Sequence, residues 1–260
     1  MFLKVMTINL RYDNLSDGPH QWCFRKNIVA QIIKEINPDI FGTQEGWEDQ
    51  IKELASLTGY SYYVFAPEWN RKRMFPCVWT KKEIKVLKSD TFWLSPTPHI
   101  PFSKAWNSAF PRTATYIIAQ KQNVLFLFIS THLDNVSEKA RLHQAAVLCQ
   151  EIKKINKNYP TILVGDFNDS PKSSVYDLLT GKIDLNGIKG NFIDVWKWLK
   201  KPEESTFHAF SGQGSRGRID WILVSKEINI KNAFLIKHTI SGLYPSDHFP
   251  VIAELKLLDK

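Results

Sequence analysis

The stretch that most constrains this chain is Thr161-Ile162-Leu163-Val164-Gly165-Asp166-Phe167-Asn168-Asp169. An apolar run of strand length ends abruptly in Gly-Asp-x-Asn, which presents a carboxylate and a carboxamide together at a strand's carboxyl end. Taken alone, the pattern reads equally well as a polar turn in which Asp166 and Asn168 bond their own backbone. Recurrence weighs against the turn: polar clusters also close apolar runs at Asn9, Glu45, Thr131-His132, Arg218-Ile219-Asp220 and Ser246-Asp247-His248.

The elements between these clusters follow from periodicity. Residues 2–10 read as a strand, and Ile28, Val29, Ile32, Ile33 and Ile36 form a helical stripe over 22–36 that stops before Asn37-Pro38. A short strand over 39–45 ends on Glu45, and Trp47, Ile51, Leu54 and Ala55 mark a second helix. Strands are expected at 60–65, 76–80, 84–94, 114–120 and 124–131, interrupted by the basic loop Trp69-Asn70-Arg71-Lys72-Arg73 and a loop over 95–112. The run Val124–Ile129 is apolar at every position, which suits a strand covered on both faces. Ser137 is placed to cap a helix carrying Leu142, Ala145, Cys149 and Ile152, and a short helix is expected over 173–179. Residues 181–217 read as loops with one or two short elements, and strands return at 219–224, 228–236 and 250–257. The expected fold is α/β, two packed sheets with helices outside, as a single domain over 1–260.

Composition narrows the partners. Hydrophobic residues make up 43% of the chain, ample for a core, and a net charge of +8 favours an anionic partner: nucleic acid, a phosphorylated small molecule or an acidic membrane surface. Cys23, Cys77 and Cys149 are odd in number and widely spaced, so neither a disulfide framework nor a zinc site is suggested. No apolar run is long enough to span a bilayer. Met1–Val5 runs straight into the first strand and leaves no room for a signal peptide, so a cytoplasmic monomer is the expectation.

The strand-end residues carry a coherent chemistry. Hard cations such as Mg²⁺ take carboxylate and amide oxygens, which Glu45, Asp166, Asn168, Asp220 and Asp247 supply, with Asn9 in support. His132 and His248 are suited to transfer protons or hold a phosphoryl oxygen, and Arg11 and Arg112 to neutralise charge developing on phosphate. Together they are what metal-assisted attack of water on a phosphoester requires. His20, His99, His143, His208 and His238 lack such a setting and read as surface or structural.

Thr7-Ile8-Asn9-Leu10-Arg11, Thr43-Gln44-Glu45, Thr131-His132-Leu133, Gly165-Asp166-Phe167-Asn168, Arg218-Ile219-Asp220 and Ser246-Asp247-His248-Phe249-Pro250-Val251 occur in an order that resembles the endonuclease/exonuclease/phosphatase superfamily, over nearly the whole chain. Thr91–Ser95, Trp106, Pro111-Arg112, Thr131–Asp134 and Ser137–Arg141 look most like its small stand-alone bacterial members. The resemblance implies a four-layer α/β sandwich, like that of deoxyribonuclease I, with the site at one edge of two mixed β-sheets and Mg²⁺ or Mn²⁺ as cofactor. It implies Glu45 as principal metal ligand with Asn9 beside it, and Asp247 contributing to the metal region. It assigns Asp166 and Asn168 to orienting the water and the transition state, Asp220 to holding His248 for acid/base work, and His132 with Arg112 to the scissile phosphate.

One position departs from the pattern. Many relatives carry a glutamate where Met74 stands, and in some it pairs with the histidine equivalent to His132. A histidine without that acid is less basic, which puts a proton-donor role for His132 in doubt and leaves phosphate binding by a neutral imidazole intact. The resulting expectation is a divalent-metal phosphodiesterase with nucleic acid as leading substrate, on the strength of the charge, the basic loop and the aromatics Trp69, Trp106 and Phe110. The alternatives are a small phosphoester or phospholipid headgroup as substrate, and a catalytically silent module that binds a phosphate ligand.

Overall fold

The computed structural model describes residues 1–64 and 73–258, so Trp69, Arg71 and Lys72 of the expected basic loop lie outside the described residues. In order, the chain forms β1 (Phe2–Asn9), α1 (Trp22–Ile36), β2 (Ile40–Gln44), α2 (Glu48–Thr58), β3 (Ser61–Tyr63), β4 (Cys77–Thr80), β5 (Lys85–Trp93) and β6 (Thr113–Lys121). There follow β7 (Val124–His132), α3 (Glu138–Ile155), β8 (Thr161–Asp166), α4 (Ser174–Leu179), β9 (Ile193–Asp194), α5 (Val195–Trp198), β10 (Asp220–Val224), β11 (Ile228–Leu235) and β12 (Val251–Leu257). The strands make two six-stranded sheets, ordered β11-β12-β1-β2-β4-β3 and β5-β6-β7-β8-β10-β9. Each is mixed: β1 runs parallel to β2 and β7 parallel to β8, while the other pairs are antiparallel.

Side-chain alternation along these strands builds the layers. Phe126 and Phe128, Ile162 and Val164, and Ile222 and Val224 face the space between the sheets, where they meet Leu3, Val5, Ile40 and Leu255. Their neighbours Leu127, Ile129, Leu163, Trp221 and Leu223 face the other way, onto Ala145, Leu148 and Ile152 of α3 and Leu178 of α4. On the far side of the first sheet, Met6, Ile8 and Ile252 pack against Val29, Ile32 and Ile33 of α1 and Ile51 and Leu54 of α2. The order is helices, sheet, sheet, helices: a four-layer α/β sandwich. From Phe126 onward β7 is buried on both faces and has no polar side to show, which explains most of its apolar run; Leu125 is the exposed exception.

Helix ends follow local chemistry. The Ser137 hydroxyl accepts from the Ala140 N–H and that of Ser173 from Tyr176, each satisfying an orphan donor of the first turn. Asn37, left-handed and followed by Pro38, stops α1. Periodicity missed a 3-10 helix at Leu15–His20, too short and too polar to carry a stripe.

Gly165 is needed for close approach. A Cβ there would stand 2.1 Å from the Thr131 carbonyl oxygen, across the parallel pair that sets Thr131 beside Gly165 and His132 beside Asp166. Gly165→Ala is therefore expected to destabilise the fold by at least about 2 kcal/mol in urea unfolding, because backbone has to move to admit the methyl. A loss within the range of ordinary surface substitutions, about 0.5 kcal/mol, would contradict this account of the strand spacing.

Candidate active site

Strand register assembles the site before any side chain is considered. β8 runs between β7 and β10, and Asp166 lies in register with His132 on one side and Asp220 on the other. In the facing sheet, the parallel pair β1 and β2 ends together at Asn9 and Gln44, with Glu45 next in the chain. The sheets are bridged where these ends meet: Asn9 Nδ2 donates to Asp166 Oδ2 at 3.1 Å, and deeper in, Gln44 Nε2 donates to Ser130 Oγ at 3.2 Å. The Ser246 hydroxyl donates to the Asn9 carbonyl at 2.5 Å and so ties the Ser246-Asp247-His248 turn to the end of β1.

All ten residues singled out from the sequence are brought to one place. Arg11, Glu45, Arg112, Asp166, Asn168, Asp247 and His248 line a pocket of about 680 Å³. Asn9, His132 and Asp220 stand just behind it, bonded to lining residues. Among the lining residues named from the sequence, Arg11, Glu45 and Asn168 have φ of 55°, 62° and 51°. Asparagine tolerates this left-handed region, but for arginine and glutamate it costs on the order of 1 kcal/mol or more each. Each follows a strand end closely, where the chain turns to aim a polar group inward.

The electrostatics centre on a surplus of buried negative charge. Burial, then Asp220 and Glu45, push the Asp166 carboxyl up to about 7, against the opposing pull of His248 and the Asn168 N–H. His248 answers in the other direction. Burial opposes its charged form, but Asp220, whose Oδ2 lies 2.8 Å from Nδ1, outweighs it together with Asp247 and Asp166 and raises the imidazole to about 10. His248 Nε2 lies 4.0 Å from Asp166 Oδ2. His132 behaves oppositely: burial, then Arg112 and His248, hold it well below the ordinary histidine range, and it stays neutral. Because a guanidinium only donates, Arg112 Nη1 at 3.1 Å makes Nδ1 of His132 an acceptor, while Nε2 lies 3.0 Å from Asn168 Nδ2 and 3.4 Å from Asp166 Oδ2. Met74 lines the pocket and supplies no acid to reverse this.

The donor set suits a hard divalent cation. Glu45, His132 and Asp166 present ligand atoms within 4.8 Å of one another, as do Asp166, Asp220 and His248, and Asp220 Oδ1 is buried without a hydrogen-bond partner among the described residues. A raised carboxyl with an orphaned carboxylate oxygen next to it is what a cation would relieve. Neither cluster includes Asp247, which instead sits 3.9 Å from Arg11 Nε.

Several contributors escaped the sequence. Asp17, on the 3-10 helix, takes Arg11 Nε and Nη2 at 2.9 and 2.8 Å and holds that guanidinium firmly charged. Asp134 is fully buried; burial pushes it up, but donors from Ser137, Ser108, Val136 and Ala109 hold it below the ordinary carboxylate range, and through them it shapes the loop behind Arg112. Asn135 accepts from Arg112 Nη2 at 3.0 Å. Aromatic walls come from Phe110, already named from the sequence, and from Tyr12, Trp47, Phe207 and Phe210, with Arg216 also lining the pocket. Trp106 does not join them: it stacks on His143 at 4.8 Å and packs a loop. Arg73 lies over the ring of Phe102. Isolated aromatics in loops have no period, so nothing in the sequence separated Phe207 and Phe210 from packing residues.

Known proteins match this arrangement along almost the whole chain. A model of the Endonuclease/Exonuclease/phosphatase family matches residues 6–248. A mannosyl-6-phosphatase from Bacteroides thetaiotaomicron VPI-5482 is 30% identical, with a TM-score of 0.87, and the match covers 98% of this chain and 100% of that one. A functionally unknown conserved protein from Enterococcus faecalis V583 is 28% identical with the same TM-score and the same coverage of 98% and 100%. Among curated relatives, a probable CCR4-Not complex 3'-5'-exoribonuclease subunit Ccr4 from Vairimorpha ceranae is 26% identical over 90% of this chain, which spans 58% of that protein's length. Motif order, sandwich architecture and family match agree, and the chain belongs to the Endonuclease/Exonuclease/phosphatase family.

Proposed function

We propose that the chain is a divalent-metal-dependent phosphoesterase. The observation that carries the reading is the convergence on Asp166 Oδ2 of Asn9 from one sheet and of His132 and His248 from either side, next to Glu45. Glu45 and Asn9 hold the cation, Mg²⁺ or Mn²⁺, with Asp247 on the same side of the pocket. When bound, it supplies positive charge against the phosphoryl oxygens. Arg112 binds those oxygens by donation, with neutral His132 holding its guanidinium through Nδ1. Asp17 takes Nε and one hydrogen of Nη2 of Arg11, so phosphate contact from that residue falls to Nη1 and the remaining Nη2 hydrogen. Asp166 and Asn168 orient the attacking water, and His248, held through Nδ1 by Asp220, exchanges the proton at Nε2.

The substrate class supported best is a small phosphoester. A half-open pocket of about 680 Å³ with aromatic rings on its sides has room for a sugar- or nucleoside-sized group, and the mannosyl-6-phosphatase relative is matched over its whole length. Nucleic acid, first on the sequence alone, is the second reading; the net charge of +8 and the exoribonuclease relative favour it. The deciding experiment is a hydrolysis panel of sugar phosphates, nucleotides, single-stranded RNA and DNA, and a phospholipid headgroup, with and without Mg²⁺ or Mn²⁺, alongside Asp166→Ala. Metal-dependent release from a small phosphoester that vanishes in the variant is the expected result. Cleavage of polynucleotide alone would move the second reading to first, and an inert panel would favour a module that only binds.

Two variants probe roles within the site. His248→Ala is expected to lower kcat by about two to four orders of magnitude with the fold retained by circular dichroism; unchanged turnover would remove His248 from the proton transfer. Glu45→Gln is expected to raise the Mg²⁺ concentration giving half-maximal rate by at least about tenfold, and a metal titration that does not move would count against ligation at that position.

A further inference from the structure

Arg25, on the buried face of α1, is fully shielded from solvent, and no carboxylate pairs with it among the described residues. Its guanidinium donates instead to four backbone carbonyls: Nε to His20 at 2.5 Å, Nη1 to Leu10 at 3.0 Å and to Pro245 at 2.6 Å, and Nη2 to Arg11 at 3.1 Å. Leu10 and Arg11 follow Asn9 directly. His20 ends the 3-10 helix that carries Asp17, and Pro245 precedes Ser246-Asp247-His248.

The same side chain also supports a pocket wall. Phe210 lines the pocket in a left-handed conformation, stacks on His20 at 4.4 Å, and has the Arg25 guanidinium 5.3 Å from its ring. A buried cation that bonds only carbonyls is an expensive way to hold a loop. Three separate segments held by one planar fork gain a fixed spacing that no neutral side chain of that reach provides.

We propose that Arg25 is a positioning residue for the cation site: its fork sets the spacing between the end of β1, the 3-10 helix and the Asp247-His248 turn, and thereby the placement of Asn9, Arg11 and Asp247. The role rests on the phosphoesterase reading for its consequence in turnover, but not for its consequence in metal binding. Arg25→Lys keeps the charge and replaces the planar fork by a single ammonium, which cannot reach all four carbonyls with the same geometry.

The test measures Mn²⁺ affinity by calorimetry and thermal stability for wild type, Arg25→Lys and Leu148→Ala, a core variant buried against the helix face of the other sheet. Where the panel above yields a substrate, kcat and KM are added. Arg25→Lys is expected to weaken Mn²⁺ binding about 10- to 100-fold and to lower kcat over a similar range, with KM changed far less. Leu148→Ala is expected to lower the melting temperature with Mn²⁺ affinity unchanged. If Arg25→Lys merely melts earlier and binds Mn²⁺ as wild type does, the positioning role is overturned. Should Arg25→Lys fail to fold, Arg25→Gln, which retains a planar donor end, is read the same way. Wild type that binds Mn²⁺ but hydrolyses nothing would defeat the catalytic reading and leave the affinity comparison to decide the role of Arg25.

Discussion

The site depends on one buried carboxyl group. Asp166 ends the central strand of its sheet, is 1% exposed, and lies between His132 and Asp220 in register, with Asn9 reaching it from the other sheet. Taking a carboxylate out of water and setting Asp220 and Glu45 near it raises its proton affinity, and a fold that tolerates this gives up stability at neutral pH unless positive charge arrives. His248 supplies part of that charge and is raised in turn. The remainder points to a cation from outside the chain.

The surroundings hold this arrangement still at two levels. Asp134 gathers four donors and fixes the loops behind Arg112 and Asn135, while Arg25 gathers four carbonyls and fixes those behind Arg11 and Asp247. One hub is a buried anion bonded to N–H and O–H groups, the other a buried cation bonded to carbonyls. Each satisfies backbone that irregular loops would otherwise leave unpaired. Strain at Glu45 and Arg11 is sustained by such rigid support.

Much of this was legible in the sequence because the chemistry lies at strand ends. Apolar runs such as Val124–Ile129 and Ile162–Val164 declare themselves by burial, and the polar residues that close those strands, His132 and Asp166, come out together at the sheet edge. The helix over Trp22–Ile36 was bounded by its stripe and by Asn37-Pro38. What could not be read is contact between distant segments. Arg25 looks like one more charge on an amphipathic helix, Asp17 like a turn residue, and His208, which stacks on Phe249 and whose N–H donates to the Asp247 carbonyl, like any isolated histidine. Their partners lie elsewhere in the chain, and no local period encodes them.

The central claim is that the protein carries a charge surplus which a divalent cation relieves, and proton release tests it most directly. Burial and its acidic neighbours raise the Asp166 carboxyl to about 7, so the metal-free site binds protons there near neutral pH, and cation binding should expel them. Calorimetric titration with Mg²⁺ or Mn²⁺ at about pH 7, in two buffers of different ionisation enthalpy, reads that number directly. The account predicts measurable proton release on cation binding near pH 7, diminishing as the pH is raised and absent in Asp166→Asn. Binding with no proton released, or release unaltered by Asp166→Asn, would contradict it.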